Sequence, residues 1–396
     1  MNISTQPATQ SSTSAWSGVF AMSLGAFALI ASEFMPVSLL TPIAKDLHIS
    51  EGQAGQAISI SGAFAVLTSL FITSVAGRLD RKTLLLVMTG LMIVSGFVVA
   101  LAPNYEILMI GRTLIGVVIG GFWSMSAATA IRLVPGDKVP RALAILNGGN
   151  ALATVIAAPL GSFLGGLIGW RGAFFFVVPV GILVLAWQFV SLPSMKAEAK
   201  AGIGAAFSIL RRPVVALGMA AASIFFMGQF ALFTYLRPFL ETATHASVST
   251  VSLMLLLMGV TGFVGTTLIG RFINKSLYRT LVVIPALMAG VASALVLYGS
   301  TASTTALLLG LWGLFATSAP VGWWTWVAKT LPNDAEAGGG LLVAVVQLAI
   351  SLGAIVGGAL YDANGYQATF GASVALLVVA GLLVALTSRK HTATHG

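Results

Sequence analysis

Twelve apolar segments of about 20 residues each dominate the sequence, and this is the length an α-helix needs to cross a bilayer. Only 8% of the 396 residues are charged and 57% are hydrophobic, whereas a soluble domain carries about 25% charged residues. Such a chain cannot cover the surface of a water-soluble fold, so we expect an all-α integral membrane protein. The segments are 16–42, 52–76, 83–102, 106–133, 141–168, 172–192, 214–240, 248–272, 279–299, 303–330, 336–361 and 367–388.

The longest polar interruption runs from Pro193 to Pro213 and divides the segments into six plus six. The first fifteen residues lack Lys and Arg, and a signal peptide would carry a basic start, so they are predicted to be a tail. The predicted organisation is a cytoplasmic tail, a six-helix bundle, a cytoplasmic loop, a second six-helix bundle and a cytoplasmic tail, at residues 1–15, 16–192, 193–213, 214–388 and 389–396.

A weak internal repeat relates the two bundles. Gly161, Gly165 and Gly166 of the fifth segment recur in the eleventh as Gly353, Gly357 and Gly358. Two shorter matches, Gly77-Arg78 with Gly270-Arg271 and residues 121–123 with 322–324, also pair each segment with the sixth one after it. An offset of six segments preserves direction, so the repeat is parallel. Parallel six-helix halves are an architecture of transporters, in which the substrate site lies between the halves.

The basic residues predict the orientation. If both termini are cytoplasmic, all but four of the 20 Lys and Arg residues fall in cytoplasmic loops or tails, as the positive-inside rule requires. The exceptions are Lys45, Arg112, Arg171 and Arg237. This distribution also accounts for the net charge of +9, so no nucleic-acid partner is predicted.

The sequence has few groups that could carry out catalysis, and we expect no enzyme. It contains no Cys, and its four His residues lie in predicted loops or the tail without the spacing of a metal site. The segment Gly270–Ser276 has Asn274 where a phosphate-binding loop needs its second glycine. We therefore predict no catalytic residue, no metal and no cofactor, with protons as the coupling ion. A channel is disfavoured because no filter-like segment is repeated.

Three segments resemble signatures of the major facilitator superfamily, in particular its twelve-helix drug/proton antiporter branch. They are the loop Gly77–Lys82, the run Arg112–Gly120 and the run Ala158–Gly166, which is followed by Gly169-Trp170-Arg171. The loop is shorter than the family pattern and lacks its second glycine, and Ala158 stands where a glycine often precedes the proline. The resemblance implies gating or helix-packing roles for Gly77, Asp80, Arg81, Gly116, Gly120, Pro159, Gly161 and Gly165.

The resemblance extends over almost the whole chain and is greatest to bacterial purine ribonucleoside exporters. It is carried by Glu33–Pro42, Phe233–Pro238 and Pro320–Trp326. It implies a monomeric, proton-coupled exporter in the bacterial inner membrane, with lipid, protons and a small-molecule substrate as partners. The implied substrates are purine ribonucleosides such as inosine or guanosine. Sugars such as arabinose, amphipathic drugs, an ion-coupled importer and a non-transporting sensor remain alternatives.

Two charged residues within the segments are candidates for proton coupling. Glu33 is the only acidic residue well inside a segment, and Arg112 lies within the fourth. Counted from the predicted outer ends, they lie at depths of about 12 Å and about 9 Å. A charge at mid-bilayer costs about 2.5–3.5 kcal/mol on insertion scales, so both are expected to have a function. The alternative is a static Glu33–Arg112 ion pair.

Polar and aromatic residues at helical spacing indicate a substrate lining, since amides can bind ring and ribose positions while aromatic faces stack on a purine. The same residues could instead join helices within a bundle. The predicted lining residues are Trp123, Ser126, Asn147, Asn150, Gln229, Tyr235, Trp323, Trp324 and Gln347.

Overall fold

A computed structural model describes residues 12–76, 79–195, 208–332 and 334–395, and in these ranges the chain is helical without strands. A 3-10 turn at Gly136–Lys138 precedes α5. The helices are α1 (Ser12–Leu47), α2 (Glu51–Ala76), α3 (Arg81–Ala100), α4 (Tyr105–Leu133), α5 (Val139–Phe175), α6 (Val177–Ser191), α7 (Pro213–Thr234), α8 (Leu236–Thr242), α9 (Val248–Lys275), α10 (Leu277–Tyr298), α11 (Ala302–Ala316), α12 (Ala319–Thr330) and α13 (Ala335–His395).

The predicted twelve crossings are confirmed once two long helical runs are divided. The described residues contain ten stretches long and apolar enough to span a membrane, and two of them are 56 and 53 residues long. Each of these two contains a glycine with left-handed backbone, Gly169 at φ 75° and Gly365 at φ 73°. Residues with a Cβ rarely adopt this conformation, so a single glycine turns the chain back across the bilayer in each case. Both turns follow the fifth crossing of a half, which agrees with the parallel repeat.

Two crossings that the apolar runs predict as continuous are interrupted. The seventh is divided into α7 and α8, and the tenth into α11 and α12. Helix α7 ends at Thr234, four residues before Pro238, and α11 ends at Ala316, four residues before Pro320. A proline cannot donate to the carbonyl four residues earlier, so the helical ladder stops there. Pro159, in contrast, lies inside α5, which continues through it.

The two six-helix halves contact each other through two equivalent pairs of helices. The end of the fifth crossing meets the start of α9, where a Cβ on Gly166 would lie 2.8 Å from the Val248 side chain. The end of the eleventh crossing meets the start of α2, where a Cβ on Gly358 would lie 3.0 Å from the Gly52 Cα. These contacts lie at the end of the molecule where residues 48–50 join α1 to α2, opposite the termini. We call it the closed end.

Glycines also bring helices together within the first half. A Cβ on Gly116 would overlap the Ser61 carbonyl oxygen, and one on Gly120 would overlap that of Ala65, so α4 lies directly against α2. Gly161 and Gly165 face Ser38 and Leu39 of α1 in the same way. The predicted packing faces of the fourth and fifth crossings are therefore both occupied by neighbouring helices of their own half.

Candidate functional site

Arg112 is completely buried, and its guanidinium joins α4 to α1 and α2. Nη1 donates to the Ser32 carbonyl at 2.8 Å and Nη2 to that of Glu33 at 3.0 Å. On α2, Nε donates to the Ala57 carbonyl at 2.9 Å and Nη2 to the Ser61 hydroxyl at 3.2 Å. A planar guanidinium with donors in fixed directions can hold two helices at once in this way.

The Glu33 carboxylate lies at the contact between the two halves. Its Oε1 accepts a hydrogen bond from Gln347 Nε2 of α13 at 3.2 Å, and Glu33 is only 2% exposed. Arg112 hydrogen-bonds Glu33 through the backbone carbonyl and not through the carboxylate. The alternative of a static Glu33–Arg112 ion pair is therefore not what the described residues form.

Two buried acceptors at this contact, and a third on α7, have no hydrogen-bond partner among the described residues. They are Glu33 Oε2, Gln347 Oε1 and Gln229 Oε1. Gln229 is the residue before Phe230 on α7. The Phe230 ring stacks on the Phe34 ring of α1, with the ring centroids 5.7 Å apart. Buried acceptors without donors are costly, so this region suits a proton or a ligand that brings N–H or O–H groups.

A second group of polar contacts joins the halves at the closed end. The Asp362 carboxylate of α13 accepts from the Ser50 hydroxyl at 2.6 Å and from the Gly52 backbone N–H at 2.9 Å. Ser50 and Gln53 also bond each other's backbone N–H, so they form a capping box at the start of α2. Asp362 thus adds a negative charge at the positive end of the α2 dipole, from the opposite half.

Tyr235 and Arg237 seal the same end. Tyr235 has no exposed surface, donates to the Ala354 carbonyl at 2.8 Å and stacks on Tyr361. Arg237 donates to the Ser38 carbonyl of α1 and pairs with Glu241 at 2.7 Å. In this conformation a ligand does not reach Tyr235, although it belongs to the predicted lining.

The comparisons with known proteins agree with this architecture. The family model of the Major Facilitator Superfamily matches residues 22–338 and, in a second match, 237–395. The chain belongs to the Major Facilitator Superfamily. It is 62% identical over 379 residues to the transcription regulatory protein OpdE of Pseudomonas aeruginosa, covering 95% of this chain and 94% of OpdE. It is 41% identical over 374 residues to the purine ribonucleoside efflux pump NepI of Salmonella typhimurium, covering 94% of both.

Solved structures of facilitators share the fold at low sequence identity. A bacterial homologue of the human lysosomal transporter Spinster, inward-facing and unoccupied, has a TM-score of 0.79 at 17% identity and covers 96% of this chain and 98% of its own. The nucleoside transporter NupG has a TM-score of 0.76 at 12% identity, covering 93% and 98%. The predicted fold class is confirmed, with twelve transmembrane helices in two parallel six-helix bundles.

The other predicted lining residues of this facilitator are dispersed. Trp323 is buried within the second half, where it lines a small apolar gap with Tyr278, Trp326 and Gly218. Gly218 lies twelve residues before Phe230 on α7, or about 18 Å along the helix, so Trp323 is not brought to the Glu33–Gln347 contact. Trp324 is 48% exposed beside Gly339.

Four predicted lining residues lie on α4 and α5 of the first half. Trp123 is half-buried against Phe122, and the buried Ser126 hydroxyl has no partner among the described residues. Asn147 is exposed and donates to Leu143 of its own helix, and Asn150 is half-buried. Their contact with a substrate stays a prediction.

The predicted gating loop is held within the first half. Asp80 caps α3, accepting from the Lys82 N–H at 2.9 Å and the Thr83 N–H at 3.3 Å, and it accepts from the Ser194 hydroxyl at 2.6 Å. Although burial opposes ionisation, the Ser194 hydroxyl and backbone N–H groups hold the pKa of Asp80 below its usual value. Arg81 is buried, and its backbone N–H donates to the Met195 carbonyl oxygen at 2.9 Å. Gly77 lies outside the described residues.

The sequence indicated that Ser351 shares a face with Gln347, but it did not indicate Asp362, Arg237 or Ser61 as residues of this region. A Cβ on Gly62 would overlap the Ser351 hydroxyl, so Ser351 lies at the contact of α2 and α13, one turn from Gln347. For α2 a signal existed, because Ser50 and Gln53 have the spacing of a capping box. For Asp362 there was none, since its partner Gly52 is 310 residues away.

Proposed function

We propose that this chain exports purine ribonucleosides such as inosine or guanosine in exchange for protons, by alternating access. The observation that carries the proposal is the 41% identity to the NepI efflux pump over 94% of both chains. Identity of this extent covers both halves and therefore every surface that could line a central path.

The geometry of the site supports the proposal. Phe34, Phe230 and Phe233 form an aromatic cluster on α1 and α7, and aromatic faces stack on purines. Glu33 and Gln347 lie next to this cluster along α1 and across the contact of the halves. A carboxylate and amides can bind ribose hydroxyls and ring N–H groups, and Glu33 can also take up the coupling proton.

The proposed orientation has both termini in the cytoplasm of a bacterium and the closed end facing outward from the inner membrane. In this orientation a nucleoside would enter from the cytoplasm, at the end opposite the closed end. Each chain holds a complete path between its halves, so we propose a monomer with no cofactor. Sugar or drug export by the same cycle is the nearest alternative.

The test is accumulation of labelled inosine in inside-out membrane vesicles from cells that overproduce the chain. An imposed proton gradient should drive saturable uptake, and an uncoupler should abolish it. Glu33→Gln should lose gradient-driven accumulation, while the membranes still bind labelled inosine. Guanosine, arabinose and a cationic drug serve as competitors. Saturable transport of arabinose without transport of inosine would contradict the nucleoside assignment alone.

A second candidate function rests on the 62% identity to a protein named a transcription regulatory protein. Under this alternative the chain would bind a ligand and signal without transporting it. The buried Glu33 and Arg112 favour transport, because charges within a membrane are costly and a fold without a transport path would not need them. The two are separated by a transport-deficient Glu33→Ala strain. A transcriptional effect of the chain that persists in this strain would favour the regulator, and an effect lost together with transport would favour the exporter.

A further inference from the structure

We propose that Glu33 and Gln347 form a proton-dependent acid–amide pair that holds the two halves together, so that Gln347 is a positioning residue for the coupling proton. The inference rests on the proposed function only in taking protons as the coupling ion. It goes beyond the sequence prediction, in which Gln347 is a substrate ligand.

The first observation is that this contact is half complete. Gln347 Nε2 donates to Glu33 Oε1 at 3.2 Å, and the remaining oxygen of each group, Glu33 Oε2 and Gln347 Oε1, is buried without a partner among the described residues. Both remaining atoms are acceptors while Glu33 is ionised. A proton on Oε2 turns Glu33 into a donor, and a carboxylic acid and a primary amide can then exchange two hydrogen bonds.

The second observation is the place of the pair in the fold. Glu33 is on α1 of the first half and Gln347 on α13 of the second, and they are 2% and 9% exposed. Next to them a Cβ on Gly62 of α2 would lie 3.0 Å from the Gln347 carbonyl oxygen, so the halves leave no room for a bridging group on that side. The hydrogen bonds of the pair form only when the halves are in contact.

The other charged groups that the structure describes on the helices around Glu33 make their hydrogen bonds and ion pairs elsewhere and not with its carboxylate. From α4, Arg112 contacts the backbone carbonyl of Glu33, and its other hydrogen bonds go to Ser32, Ala57 and Ser61. From α8, Arg237 contacts Ser38 and is paired with Glu241. Toward the closed end, Asp46 of α1 pairs with Arg171, Asp362 of α13 accepts from Ser50, and Glu51 starts α2. Glu336, the remaining acidic residue of α13, is eleven residues before Gln347.

The consequence is a linkage between protonation and closure. Uptake of one proton on Glu33 Oε2 adds the second hydrogen bond and stabilises the closed end. Loss of that proton leaves a carboxylate facing the amide oxygen of Gln347, which favours separation of the halves. For one linked proton, the ratio of closed to open molecules changes by up to about tenfold per pH unit.

The experiment measures closure directly and without substrate. The chain has no Cys, so spin labels can be placed at Lys45→Cys and Asn364→Cys, two exposed positions on opposite halves at the closed end. Distance distributions from electron spin resonance, in nanodiscs between pH 5 and pH 9, give the closed-to-open ratio. We expect the short-distance population to rise as the pH falls.

Three variants separate the pair from a general effect of burial. Glu33→Gln supplies a permanent donor, so it should stay closed at every pH. Gln347→Leu should shift the midpoint of closure to lower pH, because only the protonated Glu33 gains the second hydrogen bond. Gln188→Leu is the matched control, since Gln188 is also buried but bonds Thr89 within the first half, and its midpoint should not move.

The inference is overturned if closure of the unmodified chain does not depend on pH. It is also overturned if Gln347→Leu leaves the midpoint unchanged or moves it to higher pH, because Gln347 would then stabilise the carboxylate form or neither form. These outcomes do not depend on the substrate. A chain that closes on acidification but does not transport inosine would keep the acid–amide pair and lose the nucleoside assignment.

Discussion

Arg112 illustrates how a charge is accommodated in the membrane interior. Its hydrogen bonds go to three backbone carbonyls and one hydroxyl, spread over α1 and α2. A buried cation is stabilised when acceptors surround it, and here they come from the same half of the molecule. Arg112 therefore holds the segment of α1 that carries Glu33 in place, and the carboxylate remains available to the other half.

Arg112→Lys should reduce inosine transport at least about tenfold although it keeps the positive charge. A single ammonium cannot reach acceptors on α1 and α2 in the directions that the guanidinium fork occupies. Transport in vesicles and thermal unfolding in detergent should be measured together, with Lys82→Arg as a control for exchange of basic residues. Transport close to that of the unmodified chain would mean that charge alone is sufficient at this position.

Asp80→Ala should lower the stability of the first half by about 0.5–2 kcal/mol, the usual cost of removing a helix N-cap. Because the pKa of Asp80 is lowered in the folded chain, its contribution is present at neutral pH and is lost as the pH falls through the folded pKa. Thermal unfolding at pH 7 and at pH 3 measures both effects. Asp80→Asn keeps an acceptor for the α3 N–H groups and should be milder at pH 7. Equal unfolding temperatures for all three proteins at pH 7 would show that the cap does not stabilise the protein.

Among the helices, the fifth and eleventh crossings each carry two consecutive glycines that contact different helices. Gly165 faces Leu39 of α1 within the first half, whereas Gly166 faces Val248 of α9 in the second half. The eleventh crossing repeats this in part, because Gly357 lies against Tyr235 of its own half, whereas Gly358 lies against both Tyr235 and Gly52 of the first half. One glycine of each pair thus packs inside its half, and the next one sets how closely the halves approach.

Gly166→Leu should therefore disfavour closure, while Gly165→Leu should destabilise the first half. A leucine at 166 would overlap Val248 only when the halves are together, so the spin-label distance between Lys45→Cys and Asn364→Cys should lengthen with little change in unfolding temperature. A leucine at 165 overlaps Leu39 in every conformation, and overpacking typically costs about 1–3 kcal/mol. Gly148→Leu is the control, because a Cβ there meets no neighbour within 4 Å. Identical effects of both substitutions would contradict the division between packing and closure.

For the molecule as a whole, the described conformation is closed at one end by α2, α8 and α13. Apolar packing, the Asp362 contacts and Tyr235 all act at that end, and the Glu33–Gln347 contact lies deeper between the halves. The direction proposed for the molecule in the membrane rests on the distribution of basic residues and not on the packing.

The proposed orientation predicts opposite labelling of two exposed loops. His48→Cys at the closed end should react with a membrane-impermeant thiol reagent in intact spheroplasts, and Asp137→Cys between α4 and α5 should react only after the membrane is opened. The native chain contains no Cys to interfere. The reverse labelling pattern would mean that the termini face outward and would reverse the direction of the proposed export.

Much of the fold follows from local properties of the chain. An apolar run of about 20 residues is stable in the bilayer whatever its neighbours are, so the number of crossings could be derived from the sequence. The parallel repeat could be derived from the spacing of the glycines. The similar depths of Glu33 and Arg112 in the membrane could be derived by counting residues from the ends of the first and fourth crossings. The breaks at Tyr235 and Thr317 were missed because hydropathy ignores the missing N–H of Pro238 and Pro320, although both prolines are visible in the sequence.

The partners of the charged groups could not be derived in this way. Glu33 meets Gln347 across 314 residues, and Asp362 meets Gly52 across 310. A periodic pattern reports which face of a helix avoids lipid, but it does not report which helix of the other half covers that face. The sequence therefore placed a carboxylate and an arginine at similar depth, and packing of the two halves selected an amide as the carboxylate's partner. The physical reason is that a hydrogen bond needs both atoms within about 3 Å, and that distance is set by every helix contact between the halves.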